Sequence, residues 1–150
     1  MIVNVDASAL EINVAAFLSQ DPILMREIWN GEDLHTSNQI AFGLPERLIA
    51  KILNFRILYG GSAWSFAHDP DFTSVSTKES YWQDAIDAYY SKYKGIHKWH
   101  IGLLQTVIKT GKLVMPTGRT YSFKAEKRNG DIRWPETKIK NYPVNCSGLN

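Results

Sequence analysis

Arg47-Leu-Ile-Ala-Lys51-Ile-Leu-Asn-Phe55-Arg-Ile-Leu-Tyr59-Gly60 reads as one helix, and the rest of the chain is read outward from it. Pro45 stands just before it, where the first turn accepts proline, and Gly60-Gly61 supplies a stop. Nothing between them breaks a helix. At about 100° per residue, Arg47, Lys51, Phe55 and Tyr59 advance only about 40° per step and form one stripe. Leu48, Ile49, Ile52, Leu53 and Ile57 fall largely on the other side and are expected to be buried. Two cations four residues apart repel by a few tenths of a kcal/mol on an isolated helix. Beside a phenyl and a phenol ring, they make sense if something anionic and flat lies along the helix. A nucleoside triphosphate has that shape: cations for the phosphates, ring faces for the base. The same spacing suits a surface helix with two solvated cations and two core aromatics, and spacing alone favours that plainer reading.

Composition narrows the classes. The chain has 150 residues, enough for one ordinary domain. Lys and Arg number 17 and Asp and Glu 15, so the net charge of +2 does not by itself predict nucleic-acid binding. Cys146 is the single cysteine, which excludes a disulfide framework and a thiolate zinc site and fits a reducing cytoplasm. No apolar run approaches the roughly 18 residues of a membrane span, and Met1-Ile-Val-Asn lacks the basic start of a signal peptide. A cytoplasmic protein without a membrane partner is expected.

Taken in order, residues 2–6 alternate around a strand that presents Asp6 at its end, and Ala9 to Leu18 continue as a helix. Asp21-Pro22 opens a second helix, with Asp as cap and Pro in the first turn. Ile23, Leu24, Ile28 and Trp29 are its expected buried face. A third helix runs from Asp33 to Phe42, and a short one lies within Gly60 to His68. Ser76 to Lys94 is a long amphipathic helix, interrupted at Gly95, and Ile96 to Thr110 is another. The aromatic stripes of residues 81–99 are read as core rather than as stacking platforms. Lys112–Met115 and Thr120–Phe123 are strand-like, and Asn129-Gly130 signals a hairpin. The predicted class is α+β and mostly helical.

Residues Ile2-Val-Asn-Val-Asp6-Ala-Ser-Ala-Leu-Glu11, with Arg47-x-x-x-Lys51-x-x-x-Phe55-x-x-x-Tyr59-Gly60, resemble DNA polymerase family A, the bacterial polymerase I type. Ala15-Ala-Phe-Leu-Ser-Gln-Asp21 and Gly31-Glu-Asp-Leu-His35 fit at the family's separations. Phe55-Arg-Ile-Leu-Tyr-Gly-Gly61 and Pro116-Thr-Gly-Arg119 look like bacteriophage members. The resemblance covers residues 1 to about 144. It implies a palm fragment over residues 1–30, a fingers-like helical region over 31–111, and a small β element with a truncated return to the palm over 112–150.

The resemblance also implies roles. Asp6 and the carbonyl of Ala7 would bind magnesium in a two-metal site, with Asp6 and Lys51 catalytic. Arg47, Lys51 and His35 would bind the triphosphate of the deoxynucleotide. Phe55 would stack near its sugar and base, and Glu11, packing near Tyr59, would crowd a 2′-hydroxyl. Tyr59 and Gly60 would sit where the template enters, and Arg119 near primer–template phosphates. Without the resemblance, Asp6 reads as a helix cap, His35 as an exposed helix histidine, and Arg119 as a turn-flanking surface arginine. Two positions depart from the pattern: Ala9 stands where Gln is frequent, and Arg56 where Gly is usual.

The family's second metal-binding Asp, in His-Asp-Glu, has no counterpart here. Asn141-Tyr-Pro-Val144 matches a family motif, and Asn145 to Asn150 then leave it and read as foreign sequence. The expectation is a piece of a template-directed DNA polymerase, inactive alone. It would work on primer–template DNA and deoxynucleoside triphosphates with a separately encoded polymerase fragment. An inactive truncated product and a non-catalytic nucleotide- or DNA-binding module are the competing readings.

Overall fold

The computed structural model describes the backbone of residues 7–148 and the side chains of residues 10–144. The expected strand over residues 2–6, with Asp6, lies outside them. The described elements run α1 (Ala7–Ser19), α2 (Pro22–Trp29), α3 (Leu34–Ala41), α4 (Arg47–Leu58), α5 (Ala63–Ala67), α6 (Glu79–Lys92), α7 (Lys94–Thr110), β1 (Lys112–Val114), β2 (Thr120–Ser122), β3 (Glu126–Arg128), β4 (Asp131–Arg133) and α8 (Glu136–Gly148). The α+β, mostly helical class is as expected. No described helix is long and apolar enough to cross a membrane.

Local chemistry sets the helix ends. The Asp21 carboxylate caps α2 by accepting from Leu24 N at 2.9 Å. Asp21 is fully buried, and its second oxygen accepts from Ile96 N at 3.1 Å, which ties the start of α2 to the first turn of α7. That contact corrects the reading of Gly95. The helical run breaks at Tyr93, with φ −104° and ψ 69°, and Gly95 lies inside α7. A Cβ at Gly95 would come within 2.6 Å of Asp21 Cα, so glycine is there for close approach, not as a breaker. At the end of α4, Gly60 N–H donates to the Ile57 carbonyl and Gly61 N–H to the Arg56 carbonyl, at 2.9 and 2.7 Å. This is the paired closure of a Schellman motif, with Gly60 at φ +80°.

Two apolar clusters hold the elements. The larger gathers α1 to α7, with Val144 of α8, around Leu53, Phe66, Phe72, Trp82, Tyr93 and Ile96. Its aromatic centre sets Phe72 against Trp82 at 4.7 Å between centroids, the rings tilted by 41°, and Phe66 edge-on to Phe72 at 5.2 Å. Trp82, Tyr89 and Tyr93 are buried, so the aromatic stripe is core, as the spacing indicated. The smaller cluster joins Val107, Leu113, Met115, Phe123 and Ile139, where the β1–β2 hairpin meets α7 and α8. The strands β1 and β2 pair antiparallel with Leu113 opposite Tyr121. The Asn129-Gly130 turn joins β3 to β4, with both residues at positive φ.

Three further readings differ from the structure. Trp29 is 89% exposed. It lies about 140° around α2 from Leu24, and the buried face is completed by Glu27 instead. Leu48 is exposed for the same reason, being about 140° from Leu53 on α4. The helix α8 was not foreseen, because Pro143 inside it reads as a stop. Ile139 and Val144 are fully buried and hold α8 against α1 and α7.

Candidate functional site

Helix α4 carries the expected stripe. Its buried side is Ile49, Ala50, Leu53, Asn54, Ile57 and Leu58. Arg47 is exposed, and Lys51, Phe55 and Tyr59 are half-buried along the other side. Helix α3 lies along α4 and brings His35 to it. The His35 and Phe55 rings are 6.1 Å apart and tilted by 50°. His35 Nδ1 lies 3.1 Å from Asn54 Nδ2. At the far end of the stripe, the Glu11 carboxylate lies beside the Tyr59 hydroxyl. Desolvation, then Glu11, holds the Tyr59 phenol well above its ordinary range. Glu11, His35, Arg47, Lys51, Phe55 and Tyr59 thus line one face, contributed by α1, α3 and α4.

Asp33 organises the near end. Its carboxylate caps α3 through His35 N and Thr36 N and accepts from Thr36 Oγ1 at 2.8 Å. It also takes Arg47 in a fork, Nε at 2.9 Å and Nη2 at 3.0 Å. A guanidinium has five N–H donors, so three remain for an anion while Asp33 fixes its plane. The Arg47 hydrogen bond and then Thr36 hold the Asp33 carboxyl far below its ordinary 3.8. A depressed carboxylate contributes stability above its unfolded pKa and loses it as pH falls. Asp33→Asn keeps the cap but not the charge. It is expected to cost under about 1 kcal/mol, since both partners are half-exposed, and to remove stability lost on acidification below about pH 4. Urea unfolding at several pH values measures both.

The far end of α4 is clamped by α6, α7 and α8. Thr137 Oγ1 donates to the Gly60 carbonyl at 3.3 Å. A Cβ on Gly60 would lie 2.8 Å from Lys140 Cδ. Buried His100 shares a hydrogen bond with the Tyr90 hydroxyl at 2.8 Å, while its Nε2, near the Leu58 carbonyl, closes no bond of normal geometry. Burial first, then the Lys140 charge, pushes His100 down to about 3 from 6.5. The folded state therefore binds fewer protons than the unfolded state between these values, and stability is lost as pH falls from 6.5 toward 3. The chain is expected to be about 1 kcal/mol less stable at pH 5.5 than at pH 7.5, and His100→Gln to lack that component. Parallel unfolding curves for both chains at the two pH values check this.

Arg56 turns away from the stripe. It pairs with Asp69 and, at 3.0 Å, with Asp71, its guanidinium 6.0 Å from the Phe72 ring centre. It thereby braces the turn after α5. Arg119 lies in the β1–β2 turn, 3.4 Å from the Tyr121 hydroxyl, on the second cluster. The backbone of Ala7 opens α1, and its side chain lies outside the described set, as does Asp6. Sequence reasoning missed Asn54, Asn38, Glu27 and Lys92, which lie behind the stripe. Only the 3.6 period, which sets Asn54 beside Ala50 and Leu53, hinted that Asn54 is buried.

Residues 1–148 match the model of DNA polymerase family A. The chain belongs to DNA polymerase family A. Among curated relatives, it is 27% identical to DNA polymerase I of Synechocystis sp. over 129 residues, covering 82% of this chain and 13% of that protein. It is 29% identical to the DNA polymerase of Mycobacterium phage D29 over 126 residues, 79% of this chain and 20% of that one. Against the chloroplastic/mitochondrial DNA polymerase I A of Arabidopsis thaliana the identity is 34% over 110 residues, 73% and 10%. The phage relative is matched about as closely as the bacterial one. The fold is similar to the POL domain of Pol1 from M. smegmatis, solved in complex with DNA primer-template and dNTP, with a TM-score of 0.73 at 21% identity. That match covers 90% of this chain and 25% of the other. The chain thus spans between a tenth and a quarter of the length of these proteins.

Proposed function

We propose that this chain supplies the deoxynucleotide-binding face of a template-directed DNA polymerase. The observation that carries the reading is the convergence of His35, Arg47, Lys51, Phe55, Tyr59 and Glu11 on one side of α4. Arg47, Lys51 and His35 would meet the triphosphate, Phe55 the sugar and base, and Glu11 the 2′ position. Tyr59 and Gly60 would meet the template, and Arg119 the duplex phosphates. Primer–template DNA and deoxynucleoside triphosphates are the partners this implies, with the remaining polymerase segments on this or a separate chain. In this reading residues 1–30 belong to the palm, 31–111 to the fingers, and 112–150 lead back toward the palm.

Magnesium is the cation that the family implies, with Asp6 and Ala7 as its proposed ligands. Among the described residues, no group of three or more His, Cys, Asp or Glu is placed to hold a metal ion. The described donors do not make a two-metal centre, and the roles assigned to them here are binding and positioning. The base-stacking role is tested by comparing ligands. Phe55→Ala is expected to weaken deoxynucleoside triphosphate binding about tenfold, as for one lost stacking contact, and to leave inorganic tripolyphosphate binding unchanged. Equal loss for both ligands in calorimetric titration would show that Phe55 does not face the base.

A further inference from the structure

We infer that a buried chain of amides running from Lys92 through Asn38 and Asn54 fixes His35 as the neutral tautomer protonated on Nε2, making these three side chains positioning residues for the phosphate contact. The inference rests on the nucleotide-binding reading for its ligand, but its geometry is independent of it. Lys92 Nζ lies 3.0 Å from the buried Glu27 carboxylate and 2.5 Å from Asn38 Oδ1. An ammonium has donors only, so the Asn38 atom facing it must be the carbonyl oxygen. The Asn38 amide nitrogen therefore faces Asn54, at 3.1 Å, and the Asn54 atom that receives it must be its oxygen. The Asn54 nitrogen is left to face His35 Nδ1, at 3.1 Å. Two donors cannot meet there, so Nδ1 accepts and the proton sits on Nε2.

Amide orientation is ordinarily an assignment from the hydrogen-bond network, and here one fixed charge sets the whole direction. The Tyr93 hydroxyl lies 3.1 and 3.2 Å from the two ends of the Asn38 amide and can serve either, so it does not reverse the chain. Water cannot interrupt it readily. Asn38 is 1% and Asn54 6% exposed. The space beside them, walled by Ile12, Leu24, Leu34, Leu58 and Tyr89, holds about 10 Å³, at the lower limit for one water. The other tautomer would turn a lone pair, rather than a donor, toward an anion reaching Nε2. The relay so biases His35 toward donating to phosphate without a charge on the ring.

Nitrogen-15 spectroscopy of the histidine rings in the full chain tests this without any ligand. The wild type is expected to show His35 protonated on Nε2. Asn54→Asp keeps the shape and the contact with Asn38 but presents an acceptor, and is expected to move a proton onto Nδ1. Lys92→Met/Glu27→Met removes the charge pair together, which apolar replacement commonly tolerates, and is expected to give a mixture of tautomers. Nδ1 protonation in the wild type, or Nε2 alone in Asn54→Asp, would overturn the relay. Binding of a deoxynucleoside triphosphate supplies the second readout. The double variant adds no charge beside the ligand, and its affinity is expected to fall about twofold, the share of molecules with the wrong tautomer. Affinity unchanged in Lys51→Ala would remove the nucleotide reading and the relay's role in it. Affinity lost in Lys51→Ala but unchanged in the double variant would overturn the relay's role alone.

Discussion

A Gly60→Ala chain is expected to be less stable than the wild type by about 2–5 kcal/mol. Two costs combine. Gly60 has φ +80°, and an L-residue held there costs roughly 1–2 kcal/mol. The added methyl would also lie 2.8 Å from Lys140 Cδ, 3.1 Å from Lys140 Cβ and 3.2 Å from Thr137 Cα. The lysine stem can shift, but the backbone of α8 cannot without moving the helix, and such overpacking costs typically about 1–3 kcal/mol. Gly43 is the control. It has φ +65° and no atom within 4 Å of an added Cβ, so Gly43→Ala is expected to show the backbone cost alone. Denaturant midpoints of the two variants separate the terms. Equal losses would mean that α8 does not press on the end of α4.

The clamp at Gly60 explains why part of the molecule was legible in the sequence and part was not. Helix α4 and its stripe follow from a 3.6 period bounded by Pro45 and two glycines, all within seventeen residues. Asp21-Pro22 and Asn129-Gly130 are equally local, because capping and tight turns are decided by a few neighbouring residues. What depends on distant contacts was hidden. Helix α8 forms around Pro143 because burial of Ile139 and Val144 outweighs one missing N–H. Glu27 is buried because Lys92, far along the chain, meets it. Gly95 looked like a breaker because its partner, Asp21, is likewise remote.

The site divides in the same way. The outer residues of the stripe were legible from spacing and family resemblance. Asp33, Asn38, Asn54 and Lys92, which orient them, were not, since an amide network has no sequence period. Asp33 was visible only as a helix start. Its fork on Arg47 required the α3–α4 packing to be known. Arg56 illustrates the converse. Its departure from the family pattern was visible, but its destination, Asp69 and Asp71, lies across a turn whose path the sequence did not specify.

Lys51→Ala is the second large effect. Lys51 occupies the middle of the stripe, half-buried, one turn from Arg47 on one side and from Phe55 on the other. An ammonium placed there would meet the phosphates where Arg47 and His35 converge. Loss of a charged hydrogen bond costs on the order of 1.5–3 kcal/mol, or about 10- to 150-fold in affinity. The measurement is calorimetric titration of the wild-type chain and of Lys51→Ala with one deoxynucleoside triphosphate at fixed salt. Unfolding curves are recorded for both, so that misfolding is told apart from lost contact. Saturable binding by the wild type, weakened at least about tenfold in a folded Lys51→Ala chain, is the predicted result. Equal affinity in the two folded chains would contradict the assignment of the α4 stripe as a nucleotide-binding face.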